Sequence, residues 1–113
     1  MQLLTIILVL LSAHYIADFA LQNDYVAQAK AKVHTAPDGI HALVAHSFHH
    51  FAMVGLAMVL VGESWLWVAA SIGLTHFMID YGKAVRKWYG YHFDQGLHIF
   101  VILWISVMTW IMK

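Results

Sequence analysis

"LSAHYIADFALQ", residues 11–22, holds His14, Asp18 and Gln22 inside one of the most apolar stretches of the chain. The three polar residues stand four apart. On an α-helix, with about 3.6 residues per turn, they share one face and draw a polar stripe down an apolar rod. The same spacing recurs three times. "LTHFMIDYGK", residues 74–83, sets His76 four before Asp80; "HSFHH", residues 46–50, sets His46 four before His50; and "FDQGLHIF", residues 93–100, sets Asp94 four before His98. Each pair lies within or at the border of a hydrophobic segment, and that context decides the fold class.

Hydrophobic residues make up 62% of the 113-residue chain and charged residues 11%, with a mean hydropathy of +0.71. Soluble domains average roughly 45–50% apolar and about 25% charged, so this is a membrane composition. The length allows one domain, residues 1–113. Four segments, about 2–21, 40–61, 65–81 and 95–112, are near the ~20 residues a helix needs to cross a bilayer. Lipid offers no partner to backbone N–H and C=O groups, so the spans are expected to be helical. The expected fold is all-α: an integral-membrane four-helix bundle, up-down-up-down, with the lipid bilayer as its partner. The first segment lacks a basic flank and carries a polar stripe, unlike a cleaved signal peptide. The formal net charge is zero, which gives no reason to expect a nucleic-acid partner. The absence of cysteine excludes disulfides, thiolate metal sites and a thiol nucleophile.

Lys30, Lys32, Lys83, Arg86 and Lys87 all fall in the connections at 23–39 and 82–94, and only Lys113 lies elsewhere. Those connections share one side of a four-span hairpin bundle, and the positive-inside rule makes that side cytoplasmic. The expected location is a bacterial inner membrane, multi-pass, with both termini outside the cytoplasm. Trp65, Trp67, Trp88, Tyr89 and Tyr91 are read as interfacial anchors, and "VGES", residues 61–64, as a tight outer turn. A chain with four spans often needs further copies to enclose a cavity, so a homo-oligomer is compatible with the sequence.

In that topology the ends of spans one and three meet the starts of spans two and four, so every pair falls in one cytoplasmic-side layer. Residues four apart on a helix converge on a common point, as metal ligands do. Imidazole and carboxylate together suit a divalent ion such as Zn, Mn or Fe. The candidate ligands are His14, Asp18, His46, His50, His76, Asp80, Asp94 and His98. His34 and His92 are read as solvated, and His41 and His49 are assigned no role. A bound metal lowers the pKa of water toward ~7, which makes a metal-dependent hydrolase the leading expectation. Asp18, Asp80 or a histidine left unligated would act as base or orienting group, and Lys83 would hold a phosphate. Gln22, Lys83, Arg86 and Gln95 would bind a phosphorylated or lipid-like substrate at the cytoplasmic face. The expected pocket is lined by His14, Asp18, His46, His76, Asp80 and His98, open toward Lys83 and Arg86 and sealed toward Glu63. The alternative is a proton or divalent-metal conduit or sensor using the same layer. Haem held by His46 and His98 and a purely hydrogen-bonded network are further readings. The last must offset roughly 2.5–3.5 kcal/mol for each ionisable group near the bilayer centre.

"HYIADFALQNDYVAQAK", "HFMIDYGK" and "FDQGLH" together resemble a family of small bacterial and phage integral-membrane proteins classed as a domain of unknown function. Its recurring elements resemble H-x-x-x-D-F-x-L-Q, H-x-x-x-D-x-x-K and D-Q-x-x-H. The resemblance spans nearly the whole chain and marks His14, Asp18, Gln22, His76, Asp80, Lys83, Asp94, Gln95 and His98. The H-x-x-x-D element of the third segment is also similar to membrane-bound metal-dependent hydrolases under DNA-damage control. That similarity implies a metal-dependent activity.

Overall fold

The computed structural model describes residues 2–32, 38–64, 66–86 and 90–112, except the side chains of Val85, Arg86 and Tyr91. The described residues are helical and contain no strand. Helix α1 (Leu3–Tyr15) continues through a π-helical turn, Ile16–Ala20, closed by the Leu21 N–H donating to the Ile16 carbonyl at 2.9 Å. Helix α2 (Asp24–Ala31) and helix α3 (Gly39–Leu60) follow. Helix α4 (Leu66–Tyr81) runs into a second π turn, Gly82–Arg86, and helix α5 spans Tyr91–Ile111.

Leu3–Ala20, Gly39–Leu60 and His92–Ile111 are long and apolar enough to cross a membrane, by length and composition. Helix α4 is shorter, with 16 residues. Its rise of about 24 Å falls below the ~30 Å hydrocarbon thickness. All four of these helices turn large apolar side chains outward, among them Leu8, Phe48, Leu60, Leu74, Phe100 and Trp104. Water would penalise so much exposed hydrocarbon, whereas lipid accommodates it.

Two boundaries differ from the sequence expectation. Helix α5 begins at Tyr91, not near Gln95, because the Asp94 N–H already closes the first turn onto the Gly90 carbonyl at 2.9 Å. Hydropathy places a border at the last charge, but an aspartate in the first turn favours the helix N-terminus. The connection after α1 also contains a helix. The Asn23 side chain accepts from the Val26 N–H at 2.8 Å, capping α2, with Asp24 at its start and Lys30 in its last turn. The Tyr25 hydroxyl donates to the Asp38 carboxylate and so ties α2 to the start of α3. That bond holds the phenol pKa above its ordinary value, because losing the proton would leave two anions facing each other.

Helix α3 packs against α1 and α4, and α5 against α1 and α4. The buried apolar cluster joins Ile6, Leu10 and Ala13 of α1, Val54 and Met58 of α3, Val68, Ala69 and Ile72 of α4, and Ile102 and Ile105 of α5. Apart from Ala13, in the last turn of α1, these come from the first parts of α1 and α4 and the second halves of α3 and α5. The former pair therefore runs opposite to the latter, and all the His/Asp pairs fall beyond the other end of the cluster. Trp67 packs partly against that cluster, while Trp65, Trp88 and Tyr89 lie outside the described residues. Helices α3 and α4 approach closely at Gly73, where a Cβ would stand 3.0 Å from the Phe51 Cβ and 3.6 Å from the Ser47 carbonyl oxygen. Helix α3 ends at Gly62 (φ +75°), with Gly62 N–H donating to Val59 O at 3.1 Å and Glu63 N–H to Met58 O at 2.9 Å. This left-handed cap is a conformation glycine adopts without penalty.

Candidate metal centre

Helix α1 with its π turn supplies His14 and Asp18, α3 His46 and His50, α4 His76 and Asp80, and α5 Asp94 and His98. All eight side chains are buried. Asp18 Oδ1 lies 3.1 Å from His46 Nε2, 3.6 Å from His50 Nε2 and 4.0 Å from His76 Nε2. Asp80 spreads its two oxygens: Oδ2 is 3.2 Å from His76 Nε2 and 3.8 Å from His46 Nε2, and Oδ1 is 3.2 Å from His98 Nε2. Metal–ligand bonds of about 2.0–2.2 Å in tetrahedral array set neighbouring ligand atoms about 3.4 Å apart. The observed spacings bracket that value.

Two groups of side chains bring their ligand atoms close enough together to hold a metal ion. Asp18, His46, His50 and His76 form one, and His76, Asp80 and His98 the other, with ligand atoms within 4.8 Å of one another in each. The first is a four-residue set. The second has three residues, the number that leaves a coordination position open. His76 belongs to both.

The rings are packed for convergence more than for hydrogen bonding. His50 and His76 stack with centroids 3.5 Å apart, and His76 and His98 with centroids 4.2 Å apart. Both ring nitrogens of His50, Nε2 of His76 and Nδ1 of His46 are buried without a hydrogen-bond partner. His76 Nε2 lies only 3.2 Å from Asp80, yet the pair lacks hydrogen-bond geometry. Each unpartnered buried polar atom costs about 1–3 kcal/mol. A cation between Asp18, His46, His50 and His76 would partner the orphaned Nε2 atoms of His50 and His76 at once, so the residues present fit a divalent metal ion.

His14 and Asp94 stand outside both sets. His14 Nε2 is 3.4 Å from Gln95 Oε1 and 3.9 Å from Asp18 Oδ2. Asp94 Oδ1 is 3.4 Å from His98 Nε2, and its Oδ2 accepts from Lys83 Nζ at 3.4 Å. Gln95 Nε2 donates to Asp18 Oδ2 at 2.9 Å and to Asp94 Oδ2 at 3.5 Å, tying the two carboxylates together. His41 and His92 are exposed, and His49 is half-buried. His34 and the Arg86 side chain lie outside the described residues.

A pocket of about 420 Å³ opens over this layer, lined by Asp18, Asp80, Asp94, Gln22, Gln95, Lys30, Lys83, Phe19 and the alanines Ala27, Ala31 and Ala84. The sequence expectation of a histidine-lined pocket is corrected here. The aspartates lie nearer the helix ends than their paired histidines, so carboxylates separate the imidazoles from the opening. His14, His76 and His98 instead border a void of about 10 Å³ beneath. Lys30 was expected only to mark the cytoplasmic side. Its Nζ donates to Asp80 Oδ2 at 2.8 Å, carried there by α2. The signal that could have found it is the capped "NDYVAQAK" helix, which presents a lysine one helix-length after the polar stripe.

Toward Glu63 the layer ends on the apolar cluster. The hydroxyls of Ser106 and Thr109, buried on that side, donate to carbonyls of their own helix, Ile102 and Ile105, at 2.7 Å each.

The chain belongs to the family described as "Protein of unknown function (DUF3307)", which matches residues 6–113. Neither the curated proteins nor the solved structures contain a match to it.

Proposed function

We propose that this member of the family is a membrane-embedded, metal-dependent hydrolase that acts on a phosphorylated or lipid-like substrate at the cytoplasmic face of a bacterial inner membrane. The observation that carries this reading is the convergence of buried, unpartnered imidazole nitrogens with Asp18 and Asp80 beneath a polar pocket. In this reading α1, α3, α4 and α5 form a four-helix up-down-up-down membrane bundle, with α4 reaching the interface through its π turn. Lys30 and Lys83, one from each basic connection, line the pocket, which favours a cytoplasmic opening and termini on the outer side.

His76, Asp80 and His98 would hold the divalent ion, which would supply Lewis acidity and lower the pKa of water. The chain's own groups do the rest. Gln95 orients the Asp18 and Asp94 carboxylates through its amide. Asp94 lines the pocket outside both ligand sets, so it is placed to take the proton of the attacking water. The water oxygen forms the new bond to phosphorus, the ester P–O bond breaks, and the departing alkoxide takes the proton from Asp94 to leave as the alcohol. No electron transfer is needed. The conduit reading needs a polar path through both leaflets. Among the described residues the apolar cluster of Leu10, Met58 and Ile102 interrupts any such path.

The test is elemental analysis of detergent-purified protein made without chelator, followed by phosphate release from phosphomonoesters with and without added metal. The expected result is bound metal and a metal-dependent turnover abolished in Asp80→Asn. Protein that retains no metal, or turnover that survives in Asp80→Asn, refutes the reading.

A further inference from the structure

Three carboxylates (Asp18, Asp80 and Asp94) and two ammonium groups (Lys30 and Lys83) border one pocket. With neutral imidazoles these five groups sum to minus one. One divalent ion makes the sum plus one, and an ion in each ligand set makes it plus three. A site so enclosed tolerates excess charge poorly, so the loaded centre calls for an anion.

We propose that Lys30 and Lys83 are the two arms of a phosphate-monoester seat and that they exchange partners when it fills. The inference rests on the metal reading of the centre. Lys30 Nζ stands 2.8 Å from Asp80 Oδ2, and Lys83 Nζ stands 3.4 Å from Asp94 Oδ2. Both carboxylates face the metal-capable layer as well as the pocket. An ion that draws on Asp80 takes over the charge that Lys30 now neutralises, and Lys30 turns to the pocket. A phosphoryl group in the pocket draws Lys83 from Asp94 in the same way, so both ammonium groups turn to the ester.

The chemistry selects a monoester. It offers three terminal oxygens, one each for Lys30, Lys83 and the ion, whereas a diester offers two and a carboxylate is planar. Lysine serves phosphate as a mobile point charge. Helix α2 holds its arm in place through the Asn23 cap and the Tyr25–Asp38 bond. The remaining wall is Phe19 and three alanines, room for the organic part of the ester. The ester is either a lipid headgroup or a soluble phosphate, and both present the same terminal oxygens.

The test uses the whole chain in detergent, loaded with zinc or manganese and assayed for metal content before each measurement. Titration calorimetry with inorganic phosphate is expected to give saturable binding to the loaded protein. Lys30→Gln and Lys83→Gln are each expected to weaken it about tenfold or more while retaining metal, and Lys30→Arg to restore it. Phosphatidylcholine vesicles containing phosphatidic acid, used as competitor, assign the source: displacement of phosphate marks a headgroup site, and no displacement marks a soluble ester. Metal-loaded protein that ignores phosphate, or binds it equally well in both glutamine variants, overturns the seat and leaves the metal centre standing. Metal-free protein that binds phosphate as tightly also overturns it. Protein that takes up no metal overturns both.

Discussion

His50 offers the sharpest separation between a metal centre and a structural polar cluster. Both its ring nitrogens are buried and unpartnered, and Nε2 faces Asp18 at 3.6 Å, beyond hydrogen-bond reach. In His50→Leu a side chain of similar bulk replaces them. In chelator the variant is expected to be more stable than the parent, by about 2–6 kcal/mol, because the cost of two unpartnered atoms disappears. With metal at about a hundred times its dissociation constant, the parent gains about 2.7 kcal/mol from mass action. A ligand loss that weakens binding about a hundredfold leaves the variant a gain of about 0.4 kcal/mol. At roughly 4 °C per kcal/mol, metal should raise the parent's Tm by about 11 °C and the variant's by about 2 °C. Thermal unfolding in detergent, followed by circular dichroism with chelator and then with titrated metal, reads both effects. The reasoning is refuted if the variant melts lower than the parent in chelator, or if it keeps the parent's metal shift. Either result would mean that His50 is held by hydrogen bonds and packing alone.

Three further outcomes follow from the fold. Gly73→Ala should destabilise by about 1–3 kcal/mol, since its Cβ meets the Phe51 Cβ at 3.0 Å across the α3–α4 contact, and a neutral effect on unfolding would contradict that packing. Asn23→Ala should cost about 1 kcal/mol of local helix stability, seen as faster amide exchange across 24–31 with no change at α5. A reporter inserted at Lys32 should lie in the cytoplasm and one fused after Lys113 outside it; the opposite pattern would invert the bundle and place the pocket on the outer face.

The layer of polar pairs was legible in the sequence because four-residue spacing within apolar runs leaves few alternatives. His14, Asp18, His46, His50, His76, Asp80, Asp94 and His98, each expected to face inward, are all buried. Their division into two ligand sets was not legible. It depends on rotamers and on sub-ångström differences in helix offset, which spacing does not encode. The same limit put the histidines on the pocket wall, when the aspartates a turn nearer the helix ends occupy it. Helix α2 was missed for a different reason. Hydropathy finds apolar runs, and "DYVAQAKA" is not one; its signals are the Asn23 cap and its helix-forming alanines. With α2 unseen, Lys30 could be counted only as a charge on a loop.

The backbone departs from regular α-helix at both His-x-x-x-Asp elements. Asp18 sits inside the π turn Ile16–Ala20, and the π turn Gly82–Arg86 begins two residues after Asp80. A π turn gives up regular i→i+4 bonding and persists where surrounding contacts compensate, which is often at functional sites. Here the compensation is visible at Asp18, which accepts from Gln95 at 2.9 Å while facing His46 at 3.1 Å. At the second turn, Lys83 reaches Asp94 across to α5. Each widened turn therefore coincides with a link from an aspartate to another helix. A regular α-helix would rotate Asp18 and Lys83 away from these partners, by about 100° for each residue displaced. Deleting Ala20 to restore α-helical phase around Asp18 should therefore leave the apolar part of α1, from Leu3 to Ala13, in register with α3 and α5, while Asp18, Gln22 and α2 rotate out of place. Because Asp18 belongs to the four-residue ligand set, metal held there and phosphate affinity should fall together. A variant that keeps both unchanged would refute a role for the π turn in placing Asp18.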